Sequence, residues 1–261
     1  MMQLKEVMDV LEQFAPLALQ ADYDNSGLLV GNENLTLTGA VITLDCTEAV
    51  VDEAIALGVN LIIAHHPIVF SGLKRFNGND YIQRTVIKAI ENKIAIYAIH
   101  TNLDSVPKGV NNKLGQLLGL SNLKILAENS LHPGNGAGMI GTLESPMNEL
   151  NYFNQIKKQL KQPFLRHTAL RNQPVKKVAF CGGSGSFLLE EAIAQKADVI
   201  VSSDFKYHQF FDADNQIVIV DVGHYEAEIC TKDLIYEILR EKFATFTLHF
   251  SKISTNPVNY L

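Results

Sequence analysis

The sequence predicts an α/β protein built as two α/β units, each with a mainly parallel or mixed sheet flanked by helices. Three observations carry this expectation. Short runs rich in Val, Ile and Leu alternate with segments of helical period, which is the pattern of parallel strands joined by crossover helices. Several of those runs are apolar almost throughout, as strands buried on both faces are. The chain has 261 residues, of which 47% are hydrophobic, enough for one large core or two modest ones.

The elements follow in order. Residues 1–11 mix acids into an apolar stretch and read as an amphipathic helix rather than a signal peptide. Residues 39–45 read as a strand, 48–57 as a helix and 59–64 as the next strand, which together make a βαβ unit. Residues 80–91 give a further helical period before the strand at 94–99, and 110–118 a short helix. Turn formers over 129–136 mark the expected junction between units. Beyond it come a strand at 138–143, a helix at 147–160, a strand at 175–180, a helix at 187–196 and a strand at 199–202. The strand ending at Val222 and the helix at 226–239 are expected to return to the first unit. The expected division is therefore a metal-binding unit of residues 1–128 plus 222–261 and a second unit of 129–221.

Composition narrows the function. A net charge of −6 offers no broad electrostatic footprint for nucleic acid, which disfavours it as a partner. Cys46, Cys181 and Cys230 are odd in number and far apart, so a disulfide framework is not expected and a reducing compartment fits. No run approaches the roughly 20 apolar residues that cross a bilayer. The cytoplasm is the expected location, with no membrane partner.

The chemistry concentrates where the apolar runs stop. His65-His66-Pro67 closes one run, His100 and Asp104 follow a second, and His224 and Glu228 follow a third. In an open α/β sheet, ligands gather outside the carboxyl ends of the strands. Imidazole plus carboxylate suits zinc, iron or manganese, whereas an all-oxygen set would suit calcium or magnesium. His224 and Glu228 stand four apart and share a face if the segment is helical, while Glu226 points elsewhere. Glu226 reads better as a first-turn acid complementing the helix dipole.

Taken together, the HHP after a strand, His100-Thr101-Asn102-Leu103-Asp104 and the His224/Glu228 spacing resemble the GTP cyclohydrolase 1 type 2 homologs, the Nif-three-like dinuclear metal centre proteins. Residues 22–31, 181–186 and 203–208 are similar to that family's other motifs. The resemblance covers nearly the whole chain and implies a Nif-three-like fold in its short form, without the middle domain inserted in many bacterial relatives. It implies that His65, His66, Asp104, His224 and Glu228 hold two divalent ions, with Glu228 bridging. It also implies a ring-shaped homohexamer and opening of the purine ring of GTP with release of formate. His208 and His100 are the candidate proton carriers, joined by Glu228 as the catalytic set. Two alternatives stay open: a two-metal phosphoesterase acting on nucleotides or nucleic-acid ends, and a non-catalytic metal-binding regulatory or scaffold hexamer.

Other positions admit two readings. The Gly-rich stretch at 182–185 follows a strand and opens a helix, so its N–H groups suit an anion, or it is a tight βα turn. Asp204 and His208 stand four apart after a strand, either as an acid–imidazole pair or as a capped helix start. Asp45 and Asn25 orient a ligand or serve as turn residues. His132, His167 and His249 lack a strand-end setting, and Lys74-Arg75 reads as a solvated loop.

Overall fold

The computed structural model describes residues 2–259 and 261, so Met1 of the expected first helix lies outside it. The chain runs α1 (Leu4–Phe14), β1 (Gly27–Val30), β2 (Ala40–Thr43), α2 (Glu48–Leu57), β3 (Leu61–Ala64), α3 (Tyr81–Glu91), β4 (Ala95–Ala98), α4 (Thr101–Ser105), α5 (Val110–Leu117) and β5 (Ser121–Glu128). It continues with β6 (Gly136–Asn148), α6 (Glu149–Gln159), β7 (Arg166–His167), β8 (Pro174–Ser184), α7 (Leu189–Ala194), β9 (Val199–Ser203), β10 (Val218–Asp221), α8 (His224–Glu228), α9 (Thr231–Lys242) and β11 (Leu248–Phe250). Two compact units result, Met1–Leu103 with Thr231–Leu261, and Asp104–Cys230. Among the described residues no helix is long and apolar enough to cross a membrane.

In the first unit the strand order is β1-β4-β3-β2-β11, all parallel except β1. β2, β3 and β4 are buried at every position, filled on both faces by Val, Ile, Leu and Ala with Thr43 and Tyr97. Their register is level: Thr43 pairs with Ala64, and Ala64 with Ala98. Whatever follows these strands therefore leaves the sheet along one edge. The helices are placed by ordinary capping. The Thr47 hydroxyl accepts the Val50 N–H at the start of α2, Gly58 stops that helix at φ 68°, and Asp80 caps α3 at Gln83. Val50, Val51 and Ala54 of α2, with Val86 and Ala89 of α3, close over Val41, Ile62 and Ile96.

In the second unit the order is β5-β6-β8-β9-β10-β7, with β8, β9 and β10 parallel and the rest antiparallel. Alternation along the strands feeds two apolar layers. Phe180, Val199, Val201 and Val220 meet Leu114 of α5 and Tyr152, Phe153 and Ile156 of α6, while Ala179, Ile200 and Ile219 meet Leu188, Leu189 and Ala192. At Gly115 in α5 a Cβ would sit 2.6 Å from Phe180 Cζ. Gly→Ala inside a helix ordinarily stabilises by about 1 kcal/mol. Here overpacking outweighs propensity, and Gly115→Ala is expected to destabilise by about 1–3 kcal/mol, read as a lower midpoint in urea unfolding.

Several expected boundaries differ. Residues 129–135 are not a junction but the loop of the β5–β6 hairpin, with Glu128 paired to Gly136; the same turn formers serve either purpose. β10 does not return to the first unit, because it pairs with β9 inside the second sheet. Asp104, α5 and α8 also belong to the second unit, where Leu114 and Ala227 enter its core. The expected helix at 226–239 is two helices, α8 and α9, divided where the chain changes units.

Candidate metal centre

The first unit brings His65, His66 and His100 together at the level carboxyl ends of β3 and β4. His65 is fully buried, and ring centroids lie 4.9 Å (His65–His66), 5.2 Å (His65–His100) and 5.3 Å (His66–His100) apart. Each ring has an acceptor on its Nδ1 edge: the Ile99 carbonyl for His65 at 2.8 Å, Asp45 for His66 at 2.7 Å, and Asp24 for His100 at 2.7 Å. Holding Nδ1–H this way turns the Nε2 lone pair outward, as metal-binding histidines require. One nitrogen from each of the three rings falls within a cluster whose members all lie within 4.8 Å of one another. A soft-to-borderline divalent ion fits this donor chemistry.

Asp24 is the anchor the sequence reading missed. Its carboxylate accepts from His100 Nδ1, the Asn25 N–H, the Ser26 hydroxyl, and both the N–H and hydroxyl of Thr101. Burial pushes this carboxyl up, but the bonds from His100 and Thr101 outweigh it and hold the group well below the usual carboxylate range. Asn25 serves the same loop, its side-chain amide reaching the Val69 carbonyl at 2.6 Å.

The second unit holds the other candidates at the carboxyl ends of β8, β9 and β10. His224 opens α8 and Glu228 closes it, 3% exposed, with His224 Nε2 2.9 Å from Glu228 Oε2. His224 Nδ1 lies 2.6 Å from Asp204. A neutral imidazole donates only one N–H, so an imidazole between two carboxylates calls for protonation or for a cation shared with one of them. Asp104 belongs to this unit too. Burial first, then the charges of Asp104 and Glu228, push the Cys181 thiol above its usual range. Cys181 is therefore no ready nucleophile.

The glycine stretch now has a reason. A Cβ on Gly183, at φ +63°, would lie 2.2 Å from Glu228 Oε1, and the Gly182 N–H is already given to Asn111 at 2.9 Å. The tight turn makes room for the Glu228 carboxylate. Gly183→Ala is expected to displace Glu228 and lower metal content with the fold retained, measured by metal analysis beside circular dichroism.

Asp204 neither caps a helix nor pairs with His208; it adopts φ 59° and spends its carboxylate on His224. His208 is exposed, edge-on to Tyr207 at 5.2 Å. Glu226 lies in the first turn of α8. His132, His167 and His249 join none of the imidazole clusters. A separate cleft of about 540 Å³ in the second unit is lined by Tyr207, Phe210 and Phe211 and by none of the candidate ligands.

The family model for Duf34/NIF3 (NGG1p interacting factor 3) matches residues 2–257. Proteins named GTP cyclohydrolase 1 type 2 homolog are similar over most of the chain. The one from Clostridium acetobutylicum is 34% identical over 87% of this chain and 85% of its own. That from Lactococcus lactis is 33% identical, covering 98% of each. For Staphylococcus epidermidis the identity is 30%, over 99% of this chain and 100% of the relative, in an alignment of 367 positions. That relative thus carries a stretch with no counterpart in these 261 residues. Among solved structures, a Staphylococcus aureus hypothetical protein superposes with a TM-score of 0.92 at 29% identity, covering 100% of this chain and 99% of that one. Reduced HcgD from Methanocaldococcus jannaschii gives 0.80 at 28% identity, covering 97% and 98%.

Proposed function

Because the chain belongs to the Duf34/NIF3 family, we propose that it is a dinuclear metal-dependent hydrolase acting on a nucleotide, with GTP as the first substrate to test. The observation that carries this reading is the set of imidazoles whose Nδ1 edges are held by acceptors, with Nε2 turned outward. We assign His65, His66, Asp104, His224 and Glu228 as ligands of two divalent ions, Glu228 shared between them. The two points where the chain changes units fall at Asp104 and two residues after Glu228. When bound, such ions supply Lewis-acid activation of water and of the substrate.

The protein's own groups do the rest. Glu228, buried against Gly183, keeps its carboxylate in one orientation. His100, steadied by Asp24, presents Nε2 as a proton acceptor, and His208, exposed on the second unit, is our candidate to deliver a proton to a departing nitrogen. Opening the purine imidazole ring with one water leaves a formamide, and a second water then releases formate; each hydrolysis needs both transfers. The names of the relatives favour this reaction over phosphoester hydrolysis. We further propose a homohexamer in the cytoplasm.

The test is metal analysis of protein purified without chelators, beside an anaerobic assay of GTP with formate detection after loading with zinc, iron or manganese. About two metals per chain and formate release support the reading. Phosphate release without formate moves it to a phosphoesterase, and two metals with neither product move it to a binding role. A solution mass near that of one chain overturns the hexamer.

A further inference from the structure

We propose that the carboxy-terminal tail sets His66 for coordination, with Thr255 acting as a positioning residue through Asp45. This rests on the reading of His66 as a metal ligand. His66 Nδ1 lies 2.7 Å from one oxygen of Asp45, and the other oxygen accepts the Thr255 hydroxyl at 2.6 Å from 210 positions away. A carboxylate tied on one side can swing about its side-chain torsions. Tied on both oxygens by short charge-assisted bonds, it holds its plane. An ionised carboxylate only accepts, so the held plane keeps the hydrogen on Nδ1 and the lone pair on Nε2 of His66.

The tail is built to deliver that hydroxyl. After β11, the Ser251 N–H donates to the Ile42 carbonyl at 2.9 Å, continuing the strand's pairing along β2. Glu53 then accepts the Ser251 hydroxyl at 2.5 Å and the Lys252 N–H at 2.8 Å, and Lys232 Nζ reaches the Ser251 carbonyl at 2.8 Å. Ile253 packs against the first unit's core. Thr255 follows two residues later, half-buried beside Asp45. The acceptors for His65 and His100 come instead from the strand-end loops around them. His66 alone of these three is oriented by an acceptor that the end of the chain holds in place.

Thr255→Val removes the hydroxyl and keeps the shape, Thr255→Ser restores it, and Thr255→Ala repeats the deletion should valine pack badly. The first readout is long-range ¹⁵N–¹H NMR of the imidazoles in full-length, metal-free protein at about pH 8, above the ordinary imidazole pKa. Wild type and Thr255→Ser are expected to show His66 as the Nδ1–H tautomer, and Thr255→Val as a mixture, with His65 and His100 unchanged. The second readout is zinc affinity by chelator competition. Thr255→Val is expected to weaken binding about 3–10-fold and Asp45→Ala about 10–100-fold, with the serine variant at the wild-type value. A His66 tautomer identical in wild type and both deletion variants overturns the proposal. Failure of wild type to bind zinc sinks the ligand assignment instead, and the NMR result still decides the role of the tail.

Discussion

Glu228→Ala should strip the protein of at least one equivalent of metal while both sheets stay folded. Glu228 is 3% exposed at the end of α8, and its carboxylate sits 2.9 Å from His224 Nε2 and against Gly183. Alanine keeps the helix but removes the charge that an ion shared with His224 would need. The partner left behind is an imidazole that can turn neutral, so the stability cost stays at about 1–3 kcal/mol. The expected result is a loss of at least one equivalent of metal after dialysis, by mass spectrometry of the digested protein, with unchanged circular dichroism. His66→Ala is expected to act the same way in the first unit. Unchanged metal stoichiometry in both variants overturns the ligand assignment.

Asp24→Ala should be the most destabilising substitution at this site, by about 3–5 kcal/mol. Its side chain is fully buried and satisfies five donors at once. Removing it leaves the part-buried His100, Thr101 and Ser26 donors and the Asn25 N–H without their acceptor. The measurement is the urea midpoint, read against Asp24→Asn, which keeps the volume and part of the bonding. The same carboxylate predicts an acid limit. Its folded pKa is depressed, so its contribution is fully present above the unfolded value of about 3.9 and is lost as pH falls below that toward the folded value. An Asp24→Ala variant with wild-type stability at neutral pH sinks this account.

The layout of the first unit was legible because its signals are local. Residues 48–57 have an N-cap threonine, a helical period and a glycine stop, and the structure ends α2 at the same positions. The apolar runs before His65 and His100 could hardly be anything but buried strands. The clustering of the first unit's imidazoles followed from strand ends alone. What escaped was non-local. β1 and β11 are four and three residues long and exist because neighbouring strands pair with them. β5 is a largely exposed strand with no clean alternation of its own, so the turn formers at 129–135 read as a boundary rather than as a hairpin loop. Asp204 looked like a partner for His208 by spacing, but its left-handed backbone sends the carboxylate to His224, 20 residues away. Asp24 and Thr255 act across 76 and 210 positions, where no periodicity connects them.

The level ends of β2, β3 and β4 also bear on how an ion would enter this candidate site. The imidazoles at that edge are already oriented by hydrogen bonds within the polypeptide, so loading and release do not require the chain to fold or unfold. Occupancy can then follow the surrounding supply of ions, with exchange limited by shedding of hydration and by departure from the ligands.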